Sequence, residues 1–136
     1  LDLKGLDMDV QYSSEEYARL SNYLGRVKKV AGDKGCEFAI IIFPTKAQQY
    51  EWLVNEAQGR KSVSRRANLK VLKKAALENG IPFLDIEEKL DPIARESFLK
   101  TGKFLWRKCD THVNDIGNRQ VAVIIKQFIE DIAHKN

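Results

Sequence analysis

Phe104-Leu105-Trp106-Arg107-Lys108-Cys109-Asp110-Thr111-His112-Val113-Asn114-Asp115-Ile116-Gly117-Asn118 is the stretch that decides how this chain is expected to fold. Its first three residues are apolar and read as a short strand. Beyond it Val121, Ile124, Ile125, Phe128 and Ile132 recur at three- and four-residue steps, the mark of one buried helical face. The backbone has to turn between the two, so Asp110 and His112 fall in a loop at a strand's carboxyl end. Open α/β sheets place their chemistry there. Asn114 is positioned to cap the last helix, and Gly117 to let its first turn come close to the loop.

Upstream, the run Phe38 to Phe43 is apolar without alternation, which suits a parallel strand covered on both faces. Pro44 lacks an N–H and stops it. A short helix with Tyr50, Trp52 and Leu53 follows, and its aromatic rings are expected to pack in the core. A helix from about Val63 to Asn79 buries Leu69, Leu72 and Ala76 and ends at Asn79-Gly80, where glycine supplies the left-handed stop. Ile81 to Ile86 is a second strand, with Asp85 at its end as a cap. Asp91-Pro92 opens another helix, Pro at its first position. Before all of these, Ser13 and Glu16 form a capping box for a helix that buries Tyr17, Leu20, Leu24, Val27 and Ala31. Residues 1–12 have no helical period. The order helix, strand, helix, strand, helix, short strand, helix is that of an α/β protein.

At 136 residues the chain is long enough for one core and too short for two ordinary domains. Its 43% apolar and 31% charged content excludes a disordered chain. No run approaches the roughly 20 apolar residues of a membrane span. The chain begins at Leu1, without an initiator Met or a signal peptide, and is expected to be a piece of a longer product. Cys36 and Cys109 lie outside any zinc-ligand or Cys-x-x-Cys spacing and are expected to be small buried thiols.

Asp110 and His112 together are half of an acyl-transfer triad. A carboxylate that accepts the Nδ1 proton selects the imidazole tautomer and leaves Nε2 to act as base. The same two residues are also common in solvated surface loops, and Asp110 alone could serve as a helix cap.

Asp110-Thr111-His112-Val113-Asn114-Asp115-Ile116-Gly117-Asn118-Arg119, followed by an Ala-containing apolar helix, resembles the last sequence block of the SGNH/GDSL hydrolases. There an Asp and a His precede an Asn or Pro, then a Gly and a closing helix. Phe38-Ala39-Ile40-Ile41-Ile42-Phe43-Pro44-Thr45-Lys46, with Gln49-Tyr50, resembles the Pro-Thr/Ser-Lys … Tyr strand end of one bacterial branch. Gly80 to Ile86 resembles that branch's next strand, ending in Asp. The likeness runs from Tyr12 to Ala133 and is most specific over residues 104–122. The Asp-x-His spacing is that of the relatives of alginate-acetylating enzymes; Asp-x-x-His is commoner in the family. Val113 stands where that branch often has Trp, and the chain contains no Gly-Asp-Ser and no Gly-x-Asn block.

The resemblance implies a flavodoxin-like three-layer sandwich with a mostly parallel sheet, incomplete here, residues 1–136 being a single domain from the C-terminal part of such an enzyme. It implies hydrolysis of a carboxylic ester, or acetyl transfer to or from a sugar hydroxyl. His112 would be general base and then general acid, with Asp110 orienting its ring. The nucleophilic serine and the oxyanion donors would come from the remainder of the parent chain, and these residues alone would be inert. The substrate would be an ester-bearing small molecule or an acylated carbohydrate, with no cofactor and no metal. A cell-envelope setting follows only by analogy.

A rival from another class uses the acid-free stretch between Gln58 and Leu77. Arg60, Lys61, Arg65, Arg66, Lys70, Lys73 and Lys74 could make a non-catalytic α/β module that holds an anionic ligand or polymer, in line with a net charge of +4 and pI near 9.1. Without interleaved aromatics the stretch does not suit nucleic acid. A second rival is an interaction domain that docks a partner on an open sheet edge.

Overall fold

The structure is a computed structural model that describes residues 13–59 and 67–134. These residues fall into two compact units. One holds residues 13–40 and 67–83, the other residues 41–59 and 84–134. The elements are α1 (Ser14–Asp33), β1 (Ile40–Ile42), α2 (Lys46–Gln49), α3 (Glu51–Ala57), α4 (Ala67–Glu78), β2 (Phe83–Asp85), α5 (Ile86–Thr101) and α6 (Asp115–Ala133).

The expected flavodoxin-like three-layer sandwich is not what these residues form. Helix takes 68% and strand 7%, and β1 and β2 make a two-stranded parallel sheet. Two local causes are visible. Of the apolar run 38–43, only Ile40–Ile42 is paired, and Phe43 is half exposed. The segment read as a third strand, 104–106, contributes one antiparallel bridge, Trp106 to Val113. The Leu105 N–H, which a sheet would have used, donates to the Tyr50 hydroxyl at 2.8 Å.

In the first unit, α1 packs on α4 around Leu24, Ala75, Ala76 and Ile81. The Ser13/Glu16 capping box forms as its spacing requires. Of the other residues expected on the buried face, Tyr17 and Leu20 pack against this cluster. Gly80, at φ +61°, ends the turn after α4, and Lys28 Nζ donates to the Asn79 and Gly80 carbonyls at 2.9 Å each.

The second unit is built on α5 and α6, which pack against each other. Its core joins Tyr50, Trp52, Ile86, Leu90, Leu105, Trp106 and Val121. Ile86 and Leu90 are fully buried, and each such side chain contributes about 2 kcal/mol of transfer free energy. Tyr50 and Trp52 are core residues, as expected. Tyr50 meets Phe104 edge-on at 4.8 Å between ring centroids. Helix α5 starts earlier than expected: Asp85 Oδ1 accepts from the Glu87 N–H at 3.1 Å, so the helix runs through Pro92 rather than beginning there. Asp91 serves instead as a side-chain acceptor, for Gln49 Nε2 at 3.2 Å and Arg95 Nε at 2.7 Å. The left-handed Gly102, φ +67°, ends α5.

Both cysteines are free and exposed, which corrects the expectation of buried thiols. Cys36 follows the C-cap of α1, and Cys109 stands at the tip of the loop before α6, where neither has a core to enter. No helix among the described residues is long and apolar enough to cross a membrane.

Candidate functional site

The candidate site lies in the second unit and begins where β1 ends. Pro44 stops the strand, and Thr45 starts α2 with a complete capping box: its hydroxyl accepts from the Gln48 N–H, and the Gln48 side chain accepts from the Thr45 N–H. This turn fixes the position of Lys46, the first residue of α2.

The second part is the loop from Arg107 to Val113. Its ends are tied by the Trp106–Val113 bridge, with the Arg107 N–H donating to the His112 carbonyl and the Asn114 N–H to the Leu105 carbonyl, both at 2.9 Å. Asn114 then joins α6 to the segment before the loop. Its Oδ1 accepts from Gly117 N at 2.9 Å and caps α6, while Nδ2 donates to the Phe104 carbonyl at 2.6 Å. Gly117 has to be glycine. A Cβ there would lie 2.2 Å from the Leu105 carbonyl oxygen and 2.3 Å from Val113 Cγ1. The sequence-based roles of Asn114 and Gly117 are both present.

At the tip, Asp110 Oδ1 accepts from the His112 backbone N–H at 2.7 Å and lies 3.4 Å from His112 Nδ1. The carboxylate therefore holds the residue firmly through its backbone and reaches the ring over a longer distance. That backbone bond is the main cause that lowers the Asp110 pKa; the nearby His112 and Arg107 charges lower it further, and partial desolvation opposes them. The imidazole is 79% exposed. Asp110 and His112, the two catalytic candidates, are thus brought together on a surface loop.

His112 borders an open cleft of about 870 Å³. Phe43, Pro44 and Ala47 line it from the end of β1 and the start of α2; Trp106, His112 and Val113 line it from the loop. An exposed imidazole beside an apolar recess can take a proton from a hydroxyl while the recess holds an uncharged substituent. Two threonines, Thr45 and Thr111, also line the cleft, but among the described residues no serine does. Ser13 is a helix cap, Ser21 accepts from Asn79, and Ser97 donates to the Lys103 carbonyl. Ser62 and Ser64 lie outside the described residues. No group of three or more His, Cys, Asp or Glu able to hold a metal occurs among the described residues.

Residue type alone did not reveal two supports of this loop. Lys46 Nζ donates to the carbonyls of Arg107, Lys108 and Asp110 at 2.6, 3.0 and 3.2 Å. Tyr50, four residues on, holds Leu105 through its hydroxyl. A lysine directly after a strand-ending Pro-Thr, with a tyrosine one helical turn later, was the available signal. Burial raises the Tyr50 pKa, so its phenol stays protonated through the neutral range. Tyr50→Phe leaves the buried Leu105 N–H without its acceptor. It is expected to lower the unfolding free energy in urea by about 1–3 kcal/mol, with an unchanged m-value.

The basic stretch is only partly visible. Arg60, Lys61, Arg65 and Arg66 lie outside the described residues. Lys74 is engaged within its own unit, 3.8 Å from Glu78 and over the Tyr17 ring at 4.9 Å. Tyr17 also donates to Glu78, and that bond is the chief cause raising its pKa to about 12. These contacts use one of the seven cations within the fold.

No protein-family model, no curated protein and no solved structure matches this chain.

Proposed function

We propose that this chain supplies the Asp-His pair of an SGNH/GDSL-type serine esterase or O-acetyltransferase acting on an ester-bearing small molecule or acylated carbohydrate. The observation that carries it is the placement of Asp110 against His112 on a tied loop at the edge of an apolar cleft. His112 Nε2, the nitrogen not approached by Asp110, takes the proton of a serine hydroxyl as the oxygen attacks the ester carbonyl, and returns it to the leaving alcohol. Asp110 favours the tautomer with the proton on Nδ1 and stabilises the imidazolium formed in the transition state. The serine and the oxyanion donors belong to residues other than the 136 of this chain, which contain no Gly-Asp-Ser block. The likeness of residues 104–122 to the family's last block supports the same chemistry.

The test uses the full-length protein and a serine-directed fluorophosphonate probe. Wild-type protein is expected to label on one serine, and His112→Ala to slow that labelling by about 10²–10⁴-fold, the usual weight of a general base. Equal labelling of the two proteins removes His112 from the reaction.

A further inference from the structure

The ammonium of Lys46 stands where three backbone carbonyls of the active loop converge. It is half-buried, and its three N–H donors match its three acceptors, on Arg107, Lys108 and Asp110. Three carbonyl oxygens turned to one point repel one another, and an ammonium that donates to all three offsets that repulsion. Lys46 is itself fixed by the Thr45 capping box and the buried Pro44. The constraint therefore passes from the end of β1 to the backbone on which Asp110 and His112 sit.

We infer that Lys46, which also lines the cleft, is a positioning residue for the Asp110–His112 pair, acting through the carbonyls of residues 107, 108 and 110. It touches neither the imidazole nor the Asp110 carboxylate in this geometry; its contact with Asp110 is to the main-chain oxygen. The purpose assigned to the clamp rests on the acyl-transfer reading above, whereas its effect on the loop does not. Removing the ammonium frees the 107–110 backbone, so the Asp110 carboxylate loses its fixed bond to the His112 N–H. The main cause lowering the Asp110 pKa goes with it.

The experiment is nuclear magnetic resonance on the full-length protein, with labelled Asp and His, comparing wild type with Lys46→Met. The Asp110 carboxyl titration, the His112 tautomer ratio and the Leu105 amide protection are read without any substrate. In Lys46→Met the Asp110 midpoint is expected to climb toward the ordinary carboxylate value. The His112 nitrogens are expected to share the proton more evenly, while Leu105, held by Tyr50, stays protected. Unchanged Asp110 and His112 signals overturn the proposal. If Leu105 protection is also lost, Lys46→Arg decides. It keeps the charge, but its planar fork cannot converge on three carbonyls. Wild-type behaviour of that variant overturns the clamp, and an Asp110 shift with Leu105 protected upholds it. Because no probe or ester enters, a protein in which His112 proves irrelevant to labelling can still show the clamp, and the reverse.

Discussion

Asp110→Asn is expected to slow fluorophosphonate labelling of the full-length protein by about 10²–10⁴-fold while lowering the urea midpoint only slightly. The two parts of that expectation separate the two things Asp110 does. Its Oδ1 ends a turn by accepting from the His112 N–H, and an amide oxygen of the same shape can accept that bond as well. Only the carboxylate carries the charge that stabilises an imidazolium and selects the Nδ1–H tautomer. A variant that loses stability but labels at the wild-type rate would show that Asp110 is a turn residue and nothing more.

The pH dependence of the loop follows from the same bond. The folded-state pKa of Asp110 is lowered, so its contribution is complete above the ordinary carboxylate value of about 3.9. It is lost as pH falls through the lower, folded-state value, when protonation takes the charge off the acceptor. A labelling rate that declines between neutral pH and about 5 therefore does not report protonation of Asp110.

Gly117→Ala is expected to destabilise the second unit by about 3 kcal/mol or more. An added methyl in a packed core usually costs about 1–3 kcal/mol because neighbouring side chains can shift. Here the nearest atom is the Leu105 carbonyl oxygen, 2.2 Å from the new Cβ, and that oxygen already accepts from Asn114 N. Relief requires α6 to move off the loop, which breaks the Asn114 cap at 2.9 Å and the packing of Val121. Urea unfolding followed by the fluorescence of Trp52 and Trp106 measures it, since both indoles sit in this core. A loss below about 1 kcal/mol would mean that the helix and loop separate easily.

Local chemistry was legible in the residues. Ser13 with Glu16, Asn114 before Gly117, Asp85 at a strand end and Gly80 after Asn79 each act within about four residues of themselves, and each is found in its expected role. The neighbourhood of Asp110 and His112 was legible for the same reason. What the residues did not show is how many strands would pair. The run 38–43 and the segment 104–106 have the composition of strands, but a strand exists only where another backbone offers hydrogen bonds. The donor at Leu105 found the Tyr50 hydroxyl, from 55 residues away in sequence, instead.

The chain by itself therefore determined the caps at Ser13, Asp85 and Asn114, the glycine stop at Gly80, the core stripe of α6 and the pairing of a carboxylate with an imidazole in one turn, all set by short-range geometry. Tertiary structure alone decided that Lys46 gathers the carbonyls of a loop some 61 to 64 residues away, and that helix rather than sheet carries the core. Side-chain type specifies which bonds a residue can make; which partner it meets depends on the whole chain's packing.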